Sequence, residues 1–167
     1  MLALLKCDVP LNDPCIVKGL KWLQGQSFGS TGAYGCGITL MLLEAKYTPK
    51  EAVADRKGHR KASKPKPIQL AGDDSTWAGK LVSGLLALQA KAVGGWRYGG
   101  KCATPAPNDM EGGKPGFSDV SATQYSLLGL NAAKHMSIPV KPEAFRQAAD
   151  FLLAQQDKEG RSAGRIT

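Results

Sequence analysis

The sequence predicts an all-α fold, an incomplete α/α toroid in which helical hairpins form an inner and an outer layer. Three observations predict it. Apolar residues recur at helical spacing, related segments repeat at fixed offsets, and 20 glycines and 10 prolines mark frequent sharp connections. At 167 residues the chain is long enough for one domain with its own core.

The repeats are visible when the sequence is shifted against itself. A shift of 129 residues aligns residues 10–26 with residues 139–155 without a gap. A second element, TLMLLEA at residues 39–45, matches SLLGLNA at residues 126–132 with an offset of 87. The pattern Leu-x-x-Gln also recurs, ending at Gln26, Gln89 and Gln155. Each repeat is predicted to contain a helix, a glycine-rich turn, a second helix and a proline-marked connection.

The first helix of each repeat is predicted to be amphipathic and to lie in the outer layer. Pro14 and Pro142 stand at first-turn positions, and Asp74 or Ser75 is expected to cap the helix that runs to about Lys91. In residues 141–157 the apolar side chains form a one-sided stripe with charges elsewhere, which is typical of a surface helix. The stripe comprises Phe145, Ala148, Ala149, Leu152 and Leu153.

The second helix of each repeat is predicted to lie in the inner layer. Ser118 or Asp119 is expected to cap a helix that runs to about Met136. This segment has few charged positions before Lys134, so we expect it to be buried nearly all round. The chain is therefore predicted to contain three outer helices and two full inner helices.

The domain organisation follows from these elements. Residues 1–48 form a partial repeat with the first outer and inner helices, residues 49–73 a basic, proline-containing linker or insertion, and residues 74–167 the second pair plus a third outer helix. Because residues 1–9 align with the tail of an inner helix, we expect one structural domain that is a fragment of a larger toroid. Open repeat ends expose apolar surface, so self-association is also expected.

The net charge of +8 is concentrated in one segment. Residues 50–66 hold seven cations and two acids, a net charge of +5, and no aromatic residue, with Pro65 inside the segment and Pro67 directly after it. This composition favours a solvated linker over a nucleic-acid interface. Docking of residues 55–66 on nucleic acid or an anionic surface remains a weaker alternative.

The four cysteines predict neither a disulfide framework nor a zinc site, because no two stand in a CxxC pair. The opening MLALLKCDVP is too short for a signal peptide, and no run approaches membrane-spanning length. We therefore expect no membrane span, no metal and no cofactor, and the compartment stays open.

Several motifs resemble the prenyltransferase and squalene-oxidase repeat superfamily, which includes terpene cyclases. Lys18-Gly19-x2-Trp22-Leu23 is similar to the start of the cyclase QW motif. A later copy runs from Arg146 to Gly160, but Ser162 stands where the motif has tryptophan. The turn GGWRY at residues 94–98 and the D-x-S-x-T-Q-Y helix start at residues 119–125 resemble uncharacterised bacterial repeat proteins of this superfamily more closely.

None of the chemistries that the resemblance implies has a complete motif here. The DxDD acid of the cyclases is absent, and we interpret the pair Asp73-Asp74 as a helix cap. In the zinc-dependent prenyltransferases a histidine ligand lies where this chain has Ala122, and Asp13-Pro14-Cys15 opens an outer helix. Gly35-Cys36-Gly37 resembles the start of the GCGEQ sequence of the thioester proteins, but Thr39 stands where that sequence has its glutamine.

The two histidines do not complete a catalytic set either. His59 lies in the basic segment, and His135 stands near a helix end, where a cation is favoured by the helix dipole. Neither histidine belongs to a readable nucleophile motif.

The sequence therefore predicts a helical-repeat domain that acts as a binding or scaffold module, with no catalytic residue assigned. The alternative is a part of a terpenoid or isoprenoid cyclase or prenyltransferase whose catalytic residues lie outside this chain. In either case an apolar small molecule or a peptide would enter the toroid cavity. The candidate ligand-binding residues at the cavity rim are Trp96, Tyr98, Asp119 and Tyr125.

Overall fold

A computed structural model describes residues 1–26, 28–48, 67–97, 110–111, 114–115 and 118–156. These residues form six α-helices and one antiparallel pair of two-residue strands. The helices are α1 (Leu2–Lys6), α2 (Pro14–Gln24), α3 (Phe28–Tyr47), α4 (Gly72–Ala87), α5 (Val120–His135) and α6 (Pro142–Ala154). The strands, β1 (Met110–Glu111) and β2 (Lys114–Pro115), lie between α4 and α5 in the sequence. The prediction of an all-α fold is confirmed apart from this short pair.

Helices α3 and α5 form the centre of the molecule and run in the same direction. Near their N-terminal ends Tyr34 contacts Ser121, and near their C-terminal ends Glu44 contacts His135. Helix α4 packs against both of them, α6 packs against α5, and α1 packs against α3. The main core is continuous from α3 through α4 and α5 to α6.

The starts of α2, α5 and α6 follow the sequence signals. Pro14 and Pro142 occupy first-turn positions of α2 and α6, where the missing N–H of proline costs no hydrogen bond. Asp119 is the N-cap of α5, as one of the two predicted alternatives had it, and its side chain accepts a hydrogen bond from the Ala122 N–H.

The predicted cap of α4 is wrong. The helix begins at Gly72, its N-cap is Ala71, and no side chain caps it. Asp74 and Ser75 already lie inside the first turn, and the helix ends at Ala87 rather than near Lys91. Helix α3 contains an interruption at Gly32, where φ is 57°, a left-handed value that glycine adopts without the steric cost of a Cβ.

Two expectations about helix burial are only partly correct. Helix α5 is not buried all round, since Val120 and Leu128 are exposed and its buried face consists mainly of small residues. Helix α6 is amphipathic as predicted, but its buried residues are Ala144, Ala148 and Phe151. From the predicted stripe, Ala149 and Leu153 are exposed. Helical spacing marks an apolar stripe, but the neighbouring elements decide which side of it is covered.

Candidate functional site

Part of the site that the sequence indicated lies in a surface cluster at the N-terminal ends of α3 and α5. This cluster consists of Tyr34, Asp119, Ser121 and Tyr125, and we call it the rim cluster. Two of its members, Asp119 and Tyr125, were predicted from the sequence, whereas Tyr34 and Ser121 were not. The parallel packing of α3 on α5 brings them together, because Tyr34 lies on α3 and the others at the start of α5.

A chain of hydrogen bonds orders the rim cluster. The Asp119 carboxylate accepts from the Ala122 N–H at 2.7 Å and from the Ser121 hydroxyl at 2.7 Å, both through Oδ1. The Tyr34 and Ser121 hydroxyls are themselves hydrogen-bonded. Because an ionised carboxylate only accepts, the Ser121 proton points to Asp119 and Tyr34 donates to Ser121 Oγ. One helix cap thus orients two hydroxyl groups at the protein surface.

The aromatic rings of the cluster form a pair. The ring centroids of Tyr34 and Tyr125 lie 4.9 Å apart, with the ring planes tilted by 37°. This spacing is within the favourable range for aromatic pairs. The pair places apolar ring surface beside the hydroxyl groups of Tyr34 and Ser121, so the cluster combines an apolar platform with oriented polar groups.

Trp96 does not lie at a rim but in the core. It is 0% exposed, and its indole Nε1 donates to the Leu85 carbonyl at 2.6 Å. Its backbone N–H donates to Thr123 Oγ1 at 3.0 Å, and its carbonyl accepts from the Asp119 N–H at 2.7 Å. Trp96 therefore fastens the end of α4 to the start of α5 and is unavailable to a ligand. Tyr98, the remaining predicted residue, lies outside the described residues.

The glycines before Trp96 allow this turn to lie directly on α6. Gly94 has a φ of 83°, and a Cβ there would lie 2.2 Å from the Gln147 carbonyl oxygen. A Cβ at Gly95 would lie 2.7 Å from the Ser118 Cβ and 2.8 Å from the Phe151 ring. The prediction of a glycine-dependent turn here is confirmed, because neither position has room for a Cβ.

Gln89, from the recurring Leu-x-x-Gln pattern, joins the same turn to α6. Its Nε2 donates to the Gly94 carbonyl at 2.7 Å and to the Ala144 carbonyl at 2.9 Å. The second acceptor belongs to the first turn of α6. Gln89 thus stabilises the contact between this turn and α6.

A second polar cluster joins α2, α3 and α4 around Asp74. Lys46 Nζ lies 2.5 Å from Asp74 Oδ2, and the Tyr47 hydroxyl donates to the same oxygen at 2.7 Å. Gln24 Nε2 donates to Oδ1 at 3.2 Å. Asp74 is therefore a buried, paired carboxylate, and the interpretation of Asp73-Asp74 as a helix cap is wrong for it. Asp73 is exposed in the first turn of α4.

The ionisation of this cluster is shifted in a consistent way. Burial alone would raise the pKa of the Asp74 carboxyl, but the hydrogen bonds from Lys46 and Tyr47 and the charge of Lys46 outweigh it, so the pKa is lowered. Burial alone would lower the pKa of Lys46, but the bond to Asp74 outweighs it, so the pKa is raised. Burial and the bond to Asp74 raise the pKa of Tyr47. The pair is thus charged at neutral pH, and its geometry is that of a structural ion pair.

His135 forms a third polar contact, at the C-terminal ends of α3 and α5. Its Nδ1 lies 2.6 Å from Glu44 Oε1, with both side chains part-exposed. It lies in the last turn of α5, as predicted. A carboxylate that orients an imidazole is one half of a general-base arrangement. Here the hydrogen bond joins the C-terminal ends of α3 and α5.

Across the described ranges, no three His, Cys, Asp or Glu side chains are grouped so that they could hold a metal ion. Asp13, from the D-x-C sequence, accepts from the Cys15 N–H at 2.8 Å and caps α2. Within the same ranges, no helix has the length and apolar character that a bilayer crossing requires.

Comparison with known protein families, with curated proteins and with solved structures gives no significant match. The resemblance to the prenyltransferase and squalene-oxidase repeats therefore rests on the residues of this chain. Two of the motifs that carry the resemblance are described by the structure. In the GGWRY motif, residues 94–96 form the turn that Trp96 holds against α4 and α5. In the D-x-S-x-T-Q-Y motif, residues 119–125 contain three of the four rim-cluster side chains.

Proposed function

We propose that the chain is a helical-repeat module of the prenyltransferase and squalene-cyclase-like type that binds a ligand or partner, and that it binds through the rim cluster. The observation that carries this proposal is the hydrogen-bonded chain from Tyr34 through Ser121 to Asp119 beside the ring of Tyr125. Two hydroxyls and two rings are held in place before any ligand arrives, which lowers the entropy cost of binding.

The chemistry of the cluster favours a ligand that is mainly apolar and carries a hydrogen-bonding group. Tyrosine rings contribute a large contact area with few rotatable bonds, and serine and tyrosine hydroxyls supply direction. An apolar small molecule or an apolar peptide has these properties. Neither requires a cofactor or a metal ion.

Binding is favoured over catalysis because the carboxylates of the three polar clusters described above are engaged in the fold. Asp119 caps α5, Asp74 is paired with Lys46, and Glu44 holds His135. A general acid or base needs a carboxyl or imidazole that faces the substrate with a proton to exchange. We therefore assign no catalytic residue.

The parallel pair α3 and α5 supports the repeat architecture that this proposal assumes. Tyr34 and Ser121 are 87 residues apart, which is the offset at which the sequence repeats. Equivalent positions of two successive inner helices thus contact one another, as stacked repeats require. An open toroid, with the rim cluster at one end of its inner layer, is the arrangement that we propose.

A second function is favoured by one observation, the Tyr34–Tyr125 pair. Aromatic faces stabilise cations, and a carbocation is the intermediate of terpenoid cyclisation. The chain would then be part of a terpenoid or isoprenoid enzyme whose acid lies elsewhere. Because a chain without that acid gives no turnover, the test is binding: tighter binding of an ammonium analogue of the carbocation than of its neutral isostere would favour the enzyme, and equal binding would favour the binding module.

The binding proposal is tested by titration with two probes, farnesol and an apolar peptide selected from a phage-displayed library. Tyr34→Phe and Ser121→Ala each remove one oriented hydroxyl, and we expect either to weaken binding about 3- to 10-fold. Ser83→Ala is the matched control, because Ser83 is an exposed serine of α4 that bonds only its own helix. If neither probe binds, or if all three variants bind like the wild type, the proposal is wrong.

A further inference from the structure

The hydrogen bonds of the rim cluster all run in one direction, toward Asp119. The Tyr34 hydroxyl donates to Ser121 Oγ, and the Ser121 hydroxyl donates to Asp119 Oδ1. The Ala122 N–H donates to the same carboxylate oxygen. Both hydroxyl protons are therefore used inside the cluster, and the oxygens of Tyr34, Ser121 and Asp119 can only accept further hydrogen bonds.

The second oxygen of the Asp119 carboxylate is the strongest of these acceptors. Both hydrogen bonds that the carboxylate accepts within the described part of the chain end on Oδ1, so Oδ2 accepts none there. The ion pairs among the described side chains are Lys46–Asp74 and His135–Glu44, so none of them neutralises Asp119. Asp119 is only half-buried, and its charge and its Oδ2 atom are therefore available to a ligand.

The start of α5 does not reverse the sign of this charge. The N–H groups at a helix start attract anions, with an effect equivalent to about half a positive elementary charge. Asp119 is the N-cap of α5, so its carboxylate lies at that end of the helix. A full negative charge outweighs half a positive one, so the rim cluster attracts a cation more strongly than an anion.

The aromatic pair is compatible with a cation beside an apolar chain. The rings of Tyr34 and Tyr125, with centroids 4.9 Å apart, lie next to the hydrogen-bonded hydroxyls. Ring faces pack against apolar groups and also attract ammonium groups through their negative faces. The rings and the carboxylate thus favour the same kind of ligand.

We propose that the ligand of the rim cluster is an amphipathic amine, a small molecule with an apolar chain that ends in a protonated amino group. An ammonium group has three donors and no acceptor, which complements a cluster whose oriented oxygens accept. The ammonium group binds Asp119 Oδ2, and the apolar chain lies on the rings of Tyr34 and Tyr125. This inference rests on the proposed function, because it names the ligand class of the same cluster.

The experiment compares three probes with one apolar tail and different end groups, namely farnesylamine, farnesol and farnesoic acid. At neutral pH the amine is protonated and the acid is ionised. Isothermal titration calorimetry, at probe concentrations below those at which they aggregate, measures each dissociation constant. At low salt we expect farnesylamine to bind about 5- to 10-fold more tightly than farnesol, and farnesoic acid to bind more weakly than farnesol. High salt should reduce the preference for the amine, because it screens a partly exposed charge.

The variant Asp119→Asn assigns the preference to the carboxylate. Asparagine keeps an oxygen that can accept from the Ala122 N–H, so it can still cap α5, but it has no charge. We expect the farnesylamine-to-farnesol affinity ratio to fall to about 2 or less. Because the ratio compares two probes on the same variant, a general loss of affinity or stability cancels. Asp73→Asn is the matched control, because Asp73 is an exposed carboxylate in the first turn of α4, and it should keep the wild-type ratio.

The variant Tyr125→Leu separates the carboxylate from the rings. It removes one ring of the pair, so we expect it to weaken the binding of all three probes while the preference for the amine remains. A preference that is lost in Tyr125→Leu but survives in Asp119→Asn would come from the rings, as the enzyme alternative requires, and would overturn this inference.

Two further outcomes separate this inference from the proposed function. If farnesol binds as tightly as farnesylamine or more tightly, only the inference is wrong, since the cluster still binds an apolar ligand. If none of the three probes binds, the inference fails together with the small-molecule form of the proposed function.

Discussion

Gly37 and Gly129 bring the backbones of α3 and α5 into direct contact. A Cβ at Gly129 would lie 2.5 Å from the Gly37 Cα, and a Cβ at Gly37 would lie 2.4 Å from the Tyr125 carbonyl oxygen. In both cases the nearest atom belongs to the backbone, which cannot rotate away. The parallel packing that assembles the rim cluster and the Glu44–His135 contact therefore depends on two missing side chains.

Replacement of Gly129 by alanine should push α3 and α5 apart. We expect Gly129→Ala to lower the free energy of unfolding by about 2–4 kcal/mol, because overpacking moves the backbone of both helices. Gly79→Ala is the control, since Gly79 lies inside α4 with no atom within 4 Å of a new Cβ. That change should stabilise the chain by about 0.5–1 kcal/mol through helix propensity. Urea denaturation of both variants measures the difference; equal effects would contradict the close approach.

Removal of the Asp74 carboxylate should destabilise the junction of α2, α3 and α4. Asp74→Asn leaves Lys46 without its buried partner, and we expect a loss of about 2–3 kcal/mol at neutral pH. Asp73→Asn changes an exposed neighbour and should cost less than about 0.5 kcal/mol. Urea denaturation at one pH measures the free energy of unfolding of both variants. Equal losses in the two variants would contradict the structural role of the Asp74–Lys46 ion pair.

The same cluster predicts how stability depends on pH. The pKa of Asp74 is lowered from 3.8, so its contribution is complete above about pH 4 and is lost as the pH falls further. The pKa values of Tyr47 and Lys46 are raised from 10.0 and 10.5, so their contributions are complete below these values and are lost as the pH rises beyond them. The stability difference between wild type and Asp74→Asn should therefore shrink at both extremes. If this difference in the free energy of unfolding stays constant as the pH falls well below 4, the Asp74 carboxylate is not the source of the stabilisation.

Trp96 should contribute more to stability than its exposed counterpart Trp22. Trp96→Phe removes the bond to the Leu85 carbonyl and leaves a small void, with an expected cost of about 2–3 kcal/mol. Trp22→Phe changes an exposed side chain and should alter stability by less than about 0.5 kcal/mol. Thermal unfolding followed by circular dichroism measures the stability of both variants. A Trp96→Phe variant as stable as the wild type would contradict the burial of Trp96 in the core.

Asp119 should affect both stability and the order of the rim cluster. Asp119→Ala removes the cap of α5, with an expected loss of about 1 kcal/mol, and Asp119→Asn should retain most of it. Ser118→Ala provides the control, because Ser118 Oγ is buried and has no hydrogen-bond partner in the described part of the chain. Its removal should be neutral or slightly stabilising. Chemical denaturation ranks the three variants, and a Ser118→Ala variant that is the least stable would contradict this order.

Much of the local structure could be predicted because its causes are local. Pro14, Pro142 and Asp119 start helices through their own backbone and side-chain chemistry, and Gly94 makes a turn through its own φ. Tyr34 and Ser121 carried no motif that would have singled them out, although they are separated by 87 residues, the offset at which TLMLLEA and SLLGLNA repeat.

The amino-acid sequence by itself determined the helical class, the position of the turns and the repeat relation between the two central helices. Only the tertiary structure decided the use of the individual polar and aromatic residues. Trp96 is buried, Asp74 is paired and Asp119 orders two hydroxyls because of what lies opposite each of them. Periodicity and capping act within one turn of helix, whereas burial and charge pairing depend on residues that are far away in the sequence and become neighbours only when the helices pack.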